Sequence, residues 1–142
     1  MAGIAGAATA GLLLVIQLVP YGRAHTNPPV VAEPAWDSPS TRELAARACF
    51  DCHSNETRWP WYSHVAPVSW MVQNDVTEGR EFLNFSAWNR VYEDAVEAGE
   101  TVVAGEMPLP GYVWLHPTAK LRPDERDALI AGLNKTFGTP RE

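Results

Sequence analysis

Cysteine is almost missing from these 142 residues: there are two, Cys49 and Cys52. That scarcity excludes a closed four-cysteine zinc site. An excess of basic charge is missing too. Eleven Lys and Arg stand against seventeen Asp and Glu, a formal charge of −6, and with no basic patch to neutralise phosphates, nucleic acid is excluded as a partner. Such a charge fits docking onto basic protein surfaces or simply a solvated acidic face. Sustained alternation of period two is absent, so essentially no sheet is expected. Internal repeats and low-complexity tracts are absent as well. Nothing supplies an acid–base pair, a nucleophile triad or a phosphate loop, so the chain does not read as an enzyme and a small-molecule substrate is not expected.

Charge is also missing from the first 22 residues; Arg23 is the first charged side chain. Ala2 to Val19 is a nearly unbroken apolar or small-residue run, which as helix would reach roughly 27 to 30 Å, about one hydrocarbon core. Residues 1–22 are therefore expected to be a single N-terminal transmembrane anchor, with a cleaved signal peptide as the competing reading. The run lacks a basic leader, which leaves the positive-inside rule nothing to read on that side. Gly3, Ala7 and Gly11 would let a second membrane helix approach, although small residues occur all round the segment.

What is present is equally informative. Twelve prolines and ten glycines imply short helices joined by structured loops. Residues 23–39 form a proline-rich tether, expected to run extended and to wrap the domain. A domain over 40–138 follows. Ser40-Thr41-Arg42-Glu43 has the form of a capping box, opening a helix over about 41–51 that ends at the cysteine motif. A second helix is expected from Pro67 toward Gly79, a third capped by Ser86 with Trp88, Val91, Tyr92, Ala95 and Val96 on one face, and a last from Pro123 carrying Leu129, Ile130, Leu133 and Phe137.

The stretch ACFDCHS places a histidine directly after a C-x-x-C pair. A dithiol redox site needs the pair at a helix start, usually after a strand; here it closes a helix and no strand precedes it. Zinc would need His53, His64 or His116 to complete an irregular ligand set. Covalent haem attachment needs what is there: two thiols for the two vinyl groups of one porphyrin edge, and His53 on the same turn of backbone to reach the iron. One covalent haem c is the expected cofactor, with Cys49 and Cys52 as attachment points and His53 as proximal ligand.

Met71, Met107, His64, His116 and His25 are the candidates for the sixth position. Met107 lies in GEMPLPGY, a loop that Pro108 stiffens, and is the preferred ligand. His116, also followed by proline, is the alternative. Six tryptophans are many for so small a core, and they suit a large flat cofactor as well as they suit ordinary packing. Trp59, Trp61, Tyr62, Trp70, Met71, Pro108, Tyr112 and Trp114, with Trp88, are the expected pocket residues. A methionine opposite histidine, among aromatics, favours ferrous iron and raises the potential.

CFDCHSNETRWPWYSHVAPVSW, followed by GREFLNFSAW, GEMPLPGY and HPTAKL, resembles the bacterial haem-binding domain family: small, usually membrane-anchored c-type cytochromes. The likeness covers about residues 12 to 134. It implies an all-α, cytochrome c-like monohaem domain facing the periplasm or cell exterior. The polar run after His53, also part of the family pattern, is read either as a turn that caps the cysteine helix and bonds a haem propionate or as a purely structural turn. The expected role is one-electron transfer to or from a redox partner protein or a respiratory or photosynthetic membrane complex. A haem-based gas or redox sensor, and an accessory subunit with a mainly structural haem, are the alternatives.

Overall fold

The computed structural model describes residues 2–140. Among them are seven α-helices and no strand: α1 (Ala2–Ile16), α2 (Pro39–Ala48), α3 (Phe50–His53), α4 (Val68–Phe82), α5 (Ala98–Ala104), α6 (Pro110–Leu115) and α7 (Pro123–Phe137). Three short 3-10 turns, Trp61–His64, Glu93–Glu97 and Pro117–Ala119, join them. One isolated parallel bridge, Ala32 to Ala87, is the whole of the β structure described. The protein is all-α.

The apolar N-terminal run is shorter as a helix than its sequence suggests. Helix α1 has 15 residues, about 22 Å at a rise of 1.5 Å per residue, and among the described residues no helix is long and apolar enough to cross a membrane. Gln17 is the physical reason. Its side-chain Nε2 donates to the Ala66 carbonyl at 2.9 Å and its Oε1 accepts from the Ala66 N–H at 3.0 Å, so the chain turns into the domain instead of extending the helix. Arg23 adds a third bond, from Nη2 to Gln17 Oε1 at 3.0 Å.

The proline-rich segment wraps the domain as expected. Val31 N–H donates to Ser86 O at 2.8 Å and Trp88 N–H to Ala32 O at 3.0 Å, while Trp36 enters the core, 5.1 Å from Phe85 between ring centroids. Helix α2 begins earlier than its sequence box indicates. Ser38, extended at φ −155° and ψ 156°, is the cap and accepts from Thr41 N–H, because Pro39 fits the first helical turn and needs no N–H there. The Pro67 helix runs a turn further than expected, to Phe82. The Pro123 helix forms as expected, with Arg122 N–H capped by Glu125 at 2.9 Å.

The helix expected after Ser86 is absent. Ser86 Oγ instead accepts the N–H of Asn55 at 3.0 Å, leaving the following residues to run as a loop into a 3-10 turn and then the short α5. Leu44, Ala45, Phe50, Phe85, Val102, Leu129 and Leu133 form the buried core, with Trp36, Trp88 and Phe137 packed against it. Trp88, expected near the cofactor, lies 5.0 Å from Phe137 in this cluster.

Candidate functional site

The cysteine motif sits at a junction of two helices. Cys49 ends α2 and opens the single turn of α3, and the amides of Cys52 and His53 both return to its carbonyl, at 3.2 and 2.9 Å. Cys49, Cys52 and His53 all line one cavity of about 640 Å³, within the range that encloses a cofactor. Phe82, Leu83, Phe85, Val102 and Leu133 supply much of its apolar wall, and Met107, Pro108, Leu109 and Tyr112 border it from the loop and helix beyond α5.

Close packing shapes that cavity. At Gly79 a Cβ atom would lie 2.7 Å from the Cys52 carbonyl oxygen and 3.1 Å from its Cβ. Glycine therefore lets α4 press against the cysteine turn. Gly105, left-handed at φ 75°, ends α5, and the N–H groups of Glu106 and Met107 both fold back to the Thr101 carbonyl, at 3.0 and 3.2 Å. This turn brings Met107, 36% exposed, to the cavity.

Chemistry distinguishes the three motif residues. His53 Nδ1 lies 3.0 Å from the Leu83 carbonyl. A carbonyl only accepts, so Nδ1 carries the proton and Nε2 is left with a lone pair for a metal. Burial lowers the His53 pKa, which favours the neutral ring. Burial also pushes both thiols up to about 12, helped at Cys49 by Cys52 and at Cys52 by Asp75 and Asp51. Protonated thiols of that kind are poor attacking groups, which weighs against a dithiol redox site. Among the described residues no group of three or more His, Cys, Asp and Glu is arranged to hold a metal ion, so the zinc reading has no ligand set.

Asp51, buried between the two cysteines, organises one wall. Its Oδ1 accepts from Arg58 N–H and Nε, both at 3.0 Å, and its Oδ2 from Arg58 Nη2 at 3.1 Å and the Tyr112 hydroxyl at 2.7 Å. Burial, then the bond to Asp51, raises the Tyr112 pKa. Four carboxylates, Asp75, Glu78, Asp94 and Glu97, also line the cavity, with no Lys or Arg among the lining residues. Burial first, then Glu78, raises the pKa of Asp75.

The haem-binding domain family matches residues 11–135. The chain belongs to this family. No curated protein and no solved structure matches it. The residues present fit the haem that the family name implies: an apolar cavity, a buried imidazole with one nitrogen unpaired, and a glycine that keeps α4 tight against the cysteine turn.

Of the residues expected from the haem-binding domain's sequence, Cys49, Cys52, His53, Met107, Pro108 and Tyr112 come together at the cavity. The others do not. Trp61 and Trp114 are 79% and 82% exposed, and Met71 points to solvent from α4. Trp59 stacks on His25 at 4.6 Å, and Trp70 is half-buried away from the cavity lining. Tyr62 donates its hydroxyl to His116 Nε2 at 3.1 Å, and His116 Nδ1 bonds the Tyr112 carbonyl at 2.9 Å. Both His116 nitrogens are thus engaged outside the cavity, which removes it as the alternative sixth ligand. The polar run after His53 is a buried structural turn. Ser54 Oγ donates to Phe50 O, Asn55 Nδ2 to Pro29 O and Thr57 Oγ1 to Asp51 O, and none of these residues lines the cavity, so the propionate role is not supported.

Sequence reasoning missed the α4 face made by Asp75, Glu78, Gly79 and Phe82. Their i, i+3, i+4, i+7 spacing, with a glycine in mid-helix, was the available signal.

Proposed function

We propose that this haem-binding domain is a monohaem c-type cytochrome that passes single electrons to or from a redox partner protein or membrane complex. The observation that carries the reading is the convergence of Cys49, Cys52 and His53 from one helical turn onto a single apolar cavity, with His53 Nε2 left unpaired. Cys49 and Cys52 would hold the haem through two thioethers, His53 would be the proximal ligand and Met107 the sixth. When bound, the haem supplies one-electron exchange between ferric and ferrous iron.

The chain's own residues do the rest. Leu83 O fixes the His53 tautomer, Gly79 admits the close approach of α4, and Asp51 holds Tyr112 against the cavity. Buried Phe85, Val102 and Leu133, with Leu83 beside them, would keep water from the inner side of the haem, which favours the less charged, ferrous iron.

Helix α1 leaves Ile4, Leu12, Leu14 and Val15 exposed, which supports attachment to a membrane through this segment. The extracytoplasmic face is the compartment in which c-type haem is attached, and we place the domain there.

The test is to make the full chain in a host that attaches haem c and record its spectrum through a redox titration, with and without carbon monoxide. Low-spin haem in both oxidation states that ignores carbon monoxide is the expected result. A high-spin or carbon monoxide-binding haem would move the function to ligand sensing. Absence of covalent haem despite competent maturation would overturn the assignment.

A further inference from the structure

A line of aromatic rings leads from the cavity to the surface, and haem ligation uses none of it. Tyr112 lines the cavity. Its ring stacks on His116 with centroids 4.2 Å apart; His116 lies 6.1 Å from Tyr62, and Tyr62 5.9 Å from Trp61. Trp61 ends the series 79% exposed.

Both tyrosines in the series are already bonded to a proton acceptor. Tyr112 donates to Asp51 Oδ2 at 2.7 Å. Tyr62 donates to His116 Nε2 at 3.1 Å; that nitrogen carries the lone pair because Nδ1–H is spent on the Tyr112 carbonyl. A phenol that loses an electron becomes a strong acid. Here its proton has only to shift along an existing bond, and returns when the electron is replaced.

We propose that Tyr112, Tyr62 and Trp61, with His116 between the two phenols as proton acceptor, carry oxidising equivalents from the cavity to the surface when Met107 has left the iron of a haem held there and hydrogen peroxide takes its place. The proposal rests on the haem reading above. Reduction of peroxide to two waters takes two electrons and two protons, and the chain's own residues would supply all four. One electron and the indole N–H proton come from Trp61. The other electron and the hydroxyl proton come from Tyr62, the proton passing first to His116. Tyr112 is oxidised transiently, gives its proton to Asp51 and is refilled from the rings behind it. The competing outcome inside the cavity is transfer of one peroxide oxygen to the Met107 thioether, giving sulfoxide and one water. The aromatic series therefore spares the proposed sixth ligand.

Trp114 provides the control. It is 82% exposed, as open to direct attack as Trp61, but has no ring partner in the series. The full chain, with haem attached and its spectrum recorded first, is treated with hydrogen peroxide and a nitroso spin trap, digested and mapped by mass spectrometry. The trap is expected on Trp61 well above Trp114. In Tyr62→Phe, which keeps the ring but has no proton to give and resists oxidation, labelling of Trp61 falls to the Trp114 level and Met107 sulfoxide rises. In Trp61→Phe, a surface change, label is lost at position 61 and rises at Tyr62.

Equal labelling of Trp61 and Trp114 in the unaltered protein would overturn the proposal, as would Trp61 labelling that survives Tyr62→Phe. Should Tyr62→Phe not accumulate, Trp61→Phe decides alone: no label on Tyr62 refutes the route. A protein without a haem spectrum before peroxide is added would instead remove the reading beneath it.

Discussion

The Tyr112 hydroxyl donates to Oδ2 of Asp51 at 2.7 Å, and through that bond α6 is tied to the helical turn that carries both cysteines. Asp51 also takes three bonds from Arg58. Asp51→Ala leaves both partners without their acceptor and is expected to destabilise the haem-loaded protein by about 2 to 4 kcal/mol, the Arg58 share being reduced by its exposure. Tyr112→Phe, which loses one bond, should lose about 1 kcal/mol. Urea unfolding of the two variants measures the difference; equal losses would show that Arg58 contributes nothing.

Met107→Ala removes the proposed sixth ligand while leaving the cysteine turn untouched. Its haem is expected to become high-spin, to bind carbon monoxide and to have a lower potential. An unchanged absorption spectrum would remove Met107 from that role.

Gly79→Ala puts a methyl group 2.7 Å from the Cys52 carbonyl oxygen. Backbone is on the other side of that contact, so α4 must retreat, at about 1 to 3 kcal/mol. Lower stability and a smaller fraction of chains carrying haem through a denaturing gel are expected. Full haem retention at unchanged stability would show that the helices separate freely.

Glu125 joins α7 to α2, accepting from Arg47 Nη1 at 2.7 Å. That bond, then the Arg122 N–H, holds its carboxyl at about 2 against an ordinary 4.5. A depressed carboxyl stabilises the fold fully above the unfolded value and loses its effect as pH falls toward the folded one. Glu125→Gln is therefore expected to lower Tm above pH 4.5, with the gap from the unaltered protein closing as pH falls to about 2. A gap that stays constant with pH would mean the carboxylate's charge is not what matters.

The parts of the site that could be read from sequence are those where chemistry and local order coincide. Cys49, Cys52 and His53 fall within five residues on one turn, and Pro108 marks the stiff loop at Met107, so neither required knowledge of the fold. The tryptophans failed for the opposite reason. Trp59 and Trp61 follow the motif closely in sequence, but the buried turn at Ser54, Asn55 and Thr57 directs the chain away from the cavity toward the wrapped segment at Pro29 and Asn27. Proximity along the chain was no guide to proximity in space. The true wall comes from α4, α5 and α7, contributed by Phe82, Val102 and Leu133, positions that only tertiary packing assembles. Helix ends followed the same division. Pro123 marked α7 because a proline start is a local rule, whereas Ser86 looked like a cap and was diverted by the distant Asn55 N–H.

The paired bonds between the Gln17 amide and Ala66 change what the N-terminal helix is in mechanical terms. A leash would let the domain swing, and the bearing of its cavity would average out. Gln17 makes the segment a handle: whatever grips α1 also aims the cavity that Met107 borders, so one amide side chain couples the bearing of that cavity to the N-terminal helix.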